Sequence, residues 1–542
     1  MTALSTGVVL APESFESAAT PAETIGASSA EAARAAARAA GAHAFIAELP
    51  EGYHTPIGAG GIVLTPAQRL QLGVARLMVQ DPLALVIDNP TAVLDPVDEA
   101  AVLPGLEALL RGREIAVTAA SPGLRAAIAR SRGAPGRAPG PAPRPPADVR
   151  LPALTRLLDP SEMMPLLSTM IDGACHDLRV HSVRYKPGDN VVVQYDVLTP
   201  AGWSTAVAYA RAGAGLERKR RRLPNRKLAR RAAGRALARE PFGFLPEVGA
   251  LVQWLPLDLR LTILCDSADR LTGRLAKKGI VADETSDHPE LLRYWPRRRA
   301  VLRFGPYVLK VYRDPSDFDH ARRGLRASMS LTRVRTAPYV GVLKARQTTV
   351  QGFLEGWAPS LWPASSELAG MLAADLHADV ALELPATTSK RVLSKVAVRG
   401  AFVGQLLPEL RPDVATLMSE LAVRRPRGGS PVTSHGNFHA GQLLDSPSGL
   451  TLLDLDGIGP AAPAYDLASF AAHIAFGRPG DEPVTHSAVD SLVAGYGSRP
   501  PDLDWYLAAC LLRRAAVPFR FQDQRWPEAT TALVRLARDA LR

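Results

Sequence analysis

Two short stretches of the chain share one pattern of apolar and polar positions: Arg184–Tyr195, RYKPGDNVVVQY, and Arg293–Phe304, RYWPRRRAVLRF. Each reads as a turn entering a strand, and each is followed by a second apolar strand, AVAYAR at 206–211 and YVLKVYR at 307–313. The alternation is compatible with antiparallel pairing. Two copies are too few for a solenoid, so the pattern predicts a duplicated small-sheet element. Only the second copy carries a lysine, Lys310. From about residue 365 the period lengthens, as in SSELAGMLAADLHADVALEL and VDSLVAGYGSRPPDLDWYLAACLLRRAAVPF, which predicts a mainly helical lobe. Its one strand-rich interruption is HGNFHAGQLL followed by LTLLDLDG, where polar residues gather between apolar runs.

Composition divides this pattern into domains. Residues 132–147, RGAPGRAPGPAPRPPA, cannot make a core and favour extended backbone, so they read as a linker. The expected order is a disordered segment 1–25, a module 26–130, a linker 131–150, a strand-rich lobe 151–355 and a helical lobe 356–542. With 47% hydrophobic residues the chain buries cores, which excludes disorder as its main state. Its three cysteines have neither metal-ligand nor disulfide-framework spacing, and there is no apolar run of membrane-spanning length. The expectation is a cytoplasmic protein that meets a membrane only peripherally, through a partner.

Charge narrows the picture further. The formal net charge of +11 is equalled by eleven cations between Arg218 and Arg239, a span without an acid. The rest of the chain is neutral, which excludes a protein basic throughout, such as a histone-like one. These cations spread around a helix with no interleaved aromatic residue, so no nucleic-acid-binding fold is recognised. The segment reads as a solvated connector, with contact to an anionic partner as the alternative.

Residues 41–95 carry Leu64-Thr65-Pro66-Ala67-Gln68, then Leu85-Val-Ile-Asp88-Asn89, then Ala92-Val-Leu-Asp95. In order and spacing this resembles the later half of an ABC-transporter ATPase domain, with the three pieces at the signature, Walker B and D-loop positions. The chemistry that the resemblance implies is missing. No Gly-Lys pair of a phosphate-binding loop occurs anywhere in the chain. Pro66 and Ala67 replace the signature glycines, and Asn89 replaces the carboxylate that polarises water. Asp88 reads as a strand-end carboxylate. The module is expected to be a degenerate half-domain remnant, with docking on ABC transporter subunits through residues 26–130 as its functional alternative. The alternative is an ABC ATP-binding protein completed by a phosphate loop from another chain.

The cluster His435-Gly-Asn437-Phe-His439-Ala-Gly-Gln442, followed by Asp454 and Asp456 and then by PAYDLASF at 463–470, resembles the catalytic core of aminoglycoside phosphotransferases and related small-molecule kinases. The resemblance covers roughly residues 160–542. It implies ATP and Mg²⁺ as cofactors, with Lys310 on the nucleotide phosphates and Gln442, Asp454 and Asp456 as metal ligands. It places Val350, Gln351 and Gly352 at an adenine-binding hinge. His435 and Asn437 stand in the catalytic loop, where Asn437 replaces the base; an amide cannot take a proton from an alcohol. His439 is a candidate substitute base, and Asp317 and Asp319 are candidate partners for Lys310. The expected fold class is α+β, a bilobal protein-kinase-like domain behind an α/β ABC-ATPase remnant. The expected activity is phosphoryl transfer to a hydroxyl of a sugar or aminoglycoside-like compound, weakened by Asn437. A pseudokinase or scaffold subunit of an ABC transporter is the alternative.

Overall fold

Two units make up the chain, Met1–Gly140 and Pro141–Arg542. The computed structural model describes residues 8–10, 20–27, 29–57, 61–62, 64–80, 84–88, 94, 96–110, 114–119, 143–173, 175–199, 202–213, 216, 226–233, 235–236, 238–239, 241–281, 289–354, 364–444, 449–477, 482–523 and 525–542.

The first unit is α/β. Strands β1 (Val8–Leu10), β2 (Ala84–Asp88) and β3 (Glu114–Ala119) form a parallel sheet in that order. Helices α1 (Pro21–Ile25), α2 (Ala30–Ala39), α3 (His43–Glu48), α4 (Pro66–Gln80) and α5 (Pro96–Leu110) accompany it, with Ala37, Ile46, Leu77 and Leu106 in the core. The expectation of disorder over 1–25 is corrected in two places. Val8–Leu10 pairs with Leu85–Ile87, a ladder that needs only backbone groups. Thr20 opens α1 with a capping box, its hydroxyl accepting from the Glu23 N–H while Glu23 accepts from the Thr20 N–H.

The second unit contains the same sheet twice. The first sheet has β4 (Asp177–Lys186), β5 (Asn190–Thr199), β6 (Gly202–Arg211), β7 (Phe242–Leu245) and β8 (Ala250–Trp254), in the order β4-β5-β6-β8-β7. The second has β9 (Glu290–Trp295), β10 (Arg299–Phe304), β11 (Tyr307–Tyr312), β12 (Arg335–Thr336) leading to β13 (Tyr339–Leu343), and β14 (Thr348–Gly352). Its order is β13-β14-β11-β10-β9, with β12 outside it. Both are a three-strand antiparallel meander, a helix, and a hairpin whose last strand returns beside the third.

Helices match as well. α6 (Leu154–Leu157) and α7 (Pro160–Ser168) precede the first sheet, and α8 (Arg226–Ala233) follows β6. Before the second sheet stands α9 (Ala268–Ala276), and α10 (Pro315–Ala327) follows β11. The basic segment thus contributes the helix Arg226–Ala233 to the first copy, and part of the segment is internal. Arg231 lies 3.6 Å from buried Asp266, and Arg235 donates to the Leu264 carbonyl. Positions 217–225 of that segment lie outside the described residues.

The duplication reaches further back than the strands. Asp148 accepts from the Tyr185 hydroxyl at 2.7 Å and from the N–H groups of Gly188 and Arg150. Asp258 accepts from the Tyr294 hydroxyl at 2.7 Å and from the N–H groups of Arg297 and Arg260. An aspartate thus pins the first hairpin turn of each sheet. The sequence signal is Asp148-Val-Arg-Leu151 against Asp258-Leu-Arg-Leu261.

The helical lobe comprises α11 (Ala364–His377), α12 (Ser389–Leu406), α13 (Arg411–Val423), α14 (Pro463–Gly477), α15 (Glu482–Tyr496), α16 (Leu503–Arg514), α17 (Val517–Arg520) and α18 (Trp526–Asp539). Between α13 and α14 the chain makes short strands β15 (Val432–Ser434), β16 (Leu443–Leu444), β17 (Thr451–Leu452) and β18 (Gly459–Ala461), with β15 paired to β18 and β17 between β12 and β16. The core of this lobe is continuous with the first sheet through Tyr195, Trp254, Leu417 and Phe519. Tyr185, Phe402 and Phe519 form a ring cluster with centroids 6.1 to 6.4 Å apart, joining β4, α12 and α17. No helix among the described residues is long and apolar enough to cross a membrane.

Candidate active site

Lys310 sits in the middle of β11, between Val301 of β10 and Thr349 of β14, and is buried. Its ammonium reaches across to the helical lobe, 2.7 Å from Asp454 Oδ1 and 3.2 Å from Asp456 Oδ1. Asp317 and Asp319, the helix acids proposed as its partners, pair elsewhere, Asp317 with Arg298 at 4.0 Å and Asp319 with Arg322 at 2.6 Å. Burial alone would lower the pKa of Lys310, but Asp454 and Asp456 outweigh it and raise the pKa above the ordinary lysine value. Asp454 shows the converse. Against burial, Lys310 and Arg299 hold its carboxyl far below the usual range.

The geometry of Asp454 is itself unusual, because the residue adopts φ +58°, a left-handed conformation that a non-glycine residue takes at a cost of about 1 kcal/mol or more. The surrounding contacts explain how it is held there. Gln442 donates its amide to Asp454 Oδ2 at 3.1 Å, and the Leu453 N–H donates to the Gln442 carbonyl.

The catalytic loop is braced from beneath by a residue that sequence reading passed over. Asp466, fully buried in the first turn of α14, accepts from the N–H groups of His435 and Gly436 at 2.7 and 3.0 Å and from His377 at 3.3 Å. The available signal was its place in PAYDLASF. Burial would raise the Asp466 carboxyl, but His377 lowers it below the usual range. Gly436 has φ +78°, and a Cβ there would lie 2.3 Å from the Gly457 carbonyl oxygen, so the turn requires glycine. His435 is fully buried, with Nε2 donating to the Leu453 carbonyl at 2.9 Å. That corrects its catalytic assignment: it ties the loop to the hairpin and offers no face to a substrate. Asn437, by contrast, is exposed. His439 stacks on His473 at 4.4 Å, and burial followed by the charge of His473 keeps it neutral, well below the usual range.

Gln442, Asp454 and Asp456 therefore converge, and protein donors already engage each of the four carboxylate oxygens that would hold Mg²⁺. A hard cation needs free oxygen lone pairs. Asp454 Oδ1 and Asp456 Oδ1 both face Lys310, and Asp454 Oδ2 faces Gln442 and, at 3.7 Å, Arg299. Asp456 Oδ2 takes Arg299 at 2.9 Å and the Tyr312 hydroxyl at 2.6 Å. Gln442 turns its amide nitrogen, not its oxygen, toward this group. Two cations already balance two carboxylates. Arg299, stacked 4.2 Å from the Trp295 ring, stands as the second cation, and neither it nor Tyr312 was singled out in the sequence because each lies in an ordinary strand pattern.

The hinge assignment is also corrected. Val350, Gln351 and Gly352 lie in β14, a central strand whose backbone pairs with β11 on one side and, at Val350 and Gln351, with β13 on the other. Gly352 donates its N–H to the Pro338 carbonyl. Their polar backbone groups are used in the sheet and are not offered to a purine. Residues 355–363, which follow this strand, lie outside the described residues. A cavity of ≈ 410 Å³ lies elsewhere, against Leu151, Val191 and Val248 of the first copy, and contains none of these groups.

In the first unit, the segment at the ABC signature position forms its own cap. The Thr65 N–H donates to Gln68 Oε1 at 2.9 Å and the Gln68 N–H to Thr65 Oγ1 at 3.2 Å, with Pro66 opening α4. Leu64 and Ala67 are buried. The helix start that would face a nucleotide thus satisfies two donors internally and lacks a third. Asn89, Asp95 and the Asp88 side chain lie outside the described residues.

A strand-rich lobe carrying a buried lysine, joined by it to paired aspartates on a helical lobe, is the bilobal arrangement of protein-kinase-like phosphotransferases. The unit before it is α/β with ABC-ATPase motifs. No known family profile matches the chain. Over its N-terminal 16% it is 44% identical across 84 residues to ABC transporter B family member 19 of Arabidopsis thaliana, and 44% identical across 86 residues to the ATP-dependent lipid A-core flippase of Alkalilimnicola ehrlichii. These matches span only 7% and 15% of the relatives' own lengths. About half of the chain is similar to solved phosphotransferase structures. A choline/ethanolamine kinase family protein from Mesorhizobium loti aligns at 15% identity over 50% of this chain and 94% of that one, TM-score 0.37. The macrolide 2'-phosphotransferase MphH from Brachybacterium faecium aligns at 20% over 51% and 97%, TM-score 0.34.

Proposed function

We propose that the second unit binds ATP around the Lys310 centre without transferring its phosphates, and so serves as a nucleotide-binding scaffold. The observation that carries this reading is that Lys310, Arg299, Tyr312 and Gln442 engage all four carboxylate oxygens of Asp454 and Asp456. Phosphoryl transfer draws on charge neutralisation by metal ions and on an acceptor for the substrate proton. Here protein cations occupy the carboxylates, and Asn437 has no basicity. The first unit, whose signature position caps itself, fits docking on a complete transporter ATPase better than hydrolysis of its own.

The second reading is a slow phosphotransferase acting on a small-molecule hydroxyl. It is favoured by the exposed Asn437, held on a loop that Asp466 keeps in place. One experiment decides between them: ATP binding by calorimetry with and without Mg²⁺, and ATP turnover, for wild type, Lys310→Arg and Asn437→Asp. Metal-independent binding weakened by Lys310→Arg, with no turnover in wild type, is expected. Wild-type turnover that rises about 10²-fold or more in Asn437→Asp would establish the kinase instead. No ATP binding under any condition would remove both readings.

A further inference from the structure

A line of cations runs along α12 beside its buried side. Arg391, Lys395 and Arg399 are spaced i, i+4, i+8, while Val392, Val396, Gly400 and Val403 pack inward. Phe402 continues that line one turn beyond Arg399, and its ring meets Tyr185 of β4 and Phe519 of α17. The line therefore runs up to the elements that carry Arg184 and Arg520. The turn between β9 and β10 adds Arg298, which reaches only Asp317, at 4.0 Å. Among the described residues, Arg184, Arg391, Lys395, Arg399 and Arg520 have no acid at ion-pair distance.

These groups sense one another. Burial, then the charges of Arg298, Arg399 and Arg184, lower the Arg520 guanidinium to about 10. Burial and the charges of Arg391, Arg323 and Lys395 depress His320 on α10, against the opposing effect of Asp456. The cations thus extend outward from the neighbourhood of the aspartate pair.

We infer that this row of cations takes a small polyanion, a molecule carrying two or more phosphoryl groups, as the ligand that accompanies the nucleotide. Like charges crowded without acids favour an anion that neutralises them, and guanidinium groups match phosphoryl oxygens two at a time. A polycationic acceptor of the aminoglycoside kind would meet repulsion at every turn of α12, so the aminoglycoside-like ligand expected from the motifs is replaced by an anionic one. The inference rests on the nucleotide-binding reading for its place beside ATP, but its cations are distinct from Lys310.

The test is calorimetric titration of the full chain with inorganic pyrophosphate, with spermine and with ATP, for wild type, Arg399→Glu and Lys395→Glu. Both substitutions replace exposed side chains. Pyrophosphate should bind wild type, weaken with added salt, and lose about tenfold or more in each variant, while ATP affinity changes by less than about threefold and spermine does not bind. Pyrophosphate affinity unchanged in both variants would overturn the inference, as would spermine binding to wild type. Equal losses for pyrophosphate and ATP would also overturn it, by assigning the cations to the nucleotide's own phosphates. Absence of ATP binding with pyrophosphate binding still dependent on Arg399 would sink the nucleotide reading and leave the anion site standing.

Discussion

The two sheets of the second unit share strand order, pairing and even the aspartate that pins the first turn, yet only one of them holds a charged centre. Val301 pairs with Lys310 in the second sheet, and the equivalent Val192 pairs with Tyr209 in the first. Tyr209 therefore stands where the buried lysine stands. It meets no carboxylate; the Arg297 guanidinium from the other sheet covers its ring at 4.1 Å. The first sheet has become packing surface, its core merged with that of the helical lobe, whereas the second keeps a core of its own around Leu302, Leu309 and Val350. Scaffold and chemistry are thus separable: the same register supports either, and one side chain decides.

The largest effect should come from exchanging that side chain. Lys310→Met leaves Asp454 and Asp456 with Arg299 as their one remaining cation in a buried setting, which should cost roughly 3–5 kcal/mol of stability. Tyr209→Met removes a ring and a stacked guanidinium and should cost about 1 kcal/mol. Urea denaturation followed by circular dichroism measures both. Equal losses would mean that the lysine is no more than a packing residue and that the two sheets do not differ in kind.

Next come the pinning aspartates. Asp258 is fully buried, so Asp258→Ala leaves the hydroxyl of Tyr294 and the N–H groups of Arg260 and Arg297 without partners or water, a loss of about 3 kcal/mol. Asp148 makes the matching bonds but is partly exposed, so water can replace it and Asp148→Ala should cost about 1 kcal/mol. A larger loss at Asp148 would reverse the comparison, making the first sheet the one that depends on its turn.

Much of this division was visible before any coordinates. The RYKPGDN and RYWPRRR segments gave away the duplication because a tight turn followed by alternating apolar residues leaves a strong local pattern. Lys310, Asp454 and Asp456 were found by motif and do come together. That Val350, Gln351 and Gly352 are tied up in an interior strand was not legible, because spacing along a chain does not reveal which strands lie in the middle of a sheet. Arg299 and Tyr312 escaped notice for a related reason. Their role depends on facing Asp456, more than 140 residues away, and no local period encodes such a contact. The N-terminal strand was missed because a three-residue edge partner in a parallel sheet needs backbone alone.

The smallest effect lies at the turn where a glycine in one copy stands against an arginine in the other. Gly188 has φ +70° and its counterpart Arg297 has φ +60°, so the second copy holds an arginine in a conformation that costs a non-glycine residue about 1 kcal/mol. Arg297→Gly relieves that strain. It also frees the unfolded chain, at about 0.5–1 kcal/mol, and gives up the contact with Tyr209, at about the same. The net change should stay within about 1 kcal/mol. What isolates the contact is a double-mutant cycle with Tyr209→Ala: once the ring is gone, Arg297→Gly should become more favourable by about 0.5–1 kcal/mol. Urea midpoints with unchanged slopes read that coupling. A coupling of zero would mean that Arg297 is strained for no gain from the first sheet, and that the two sheets meet at this point without holding one another.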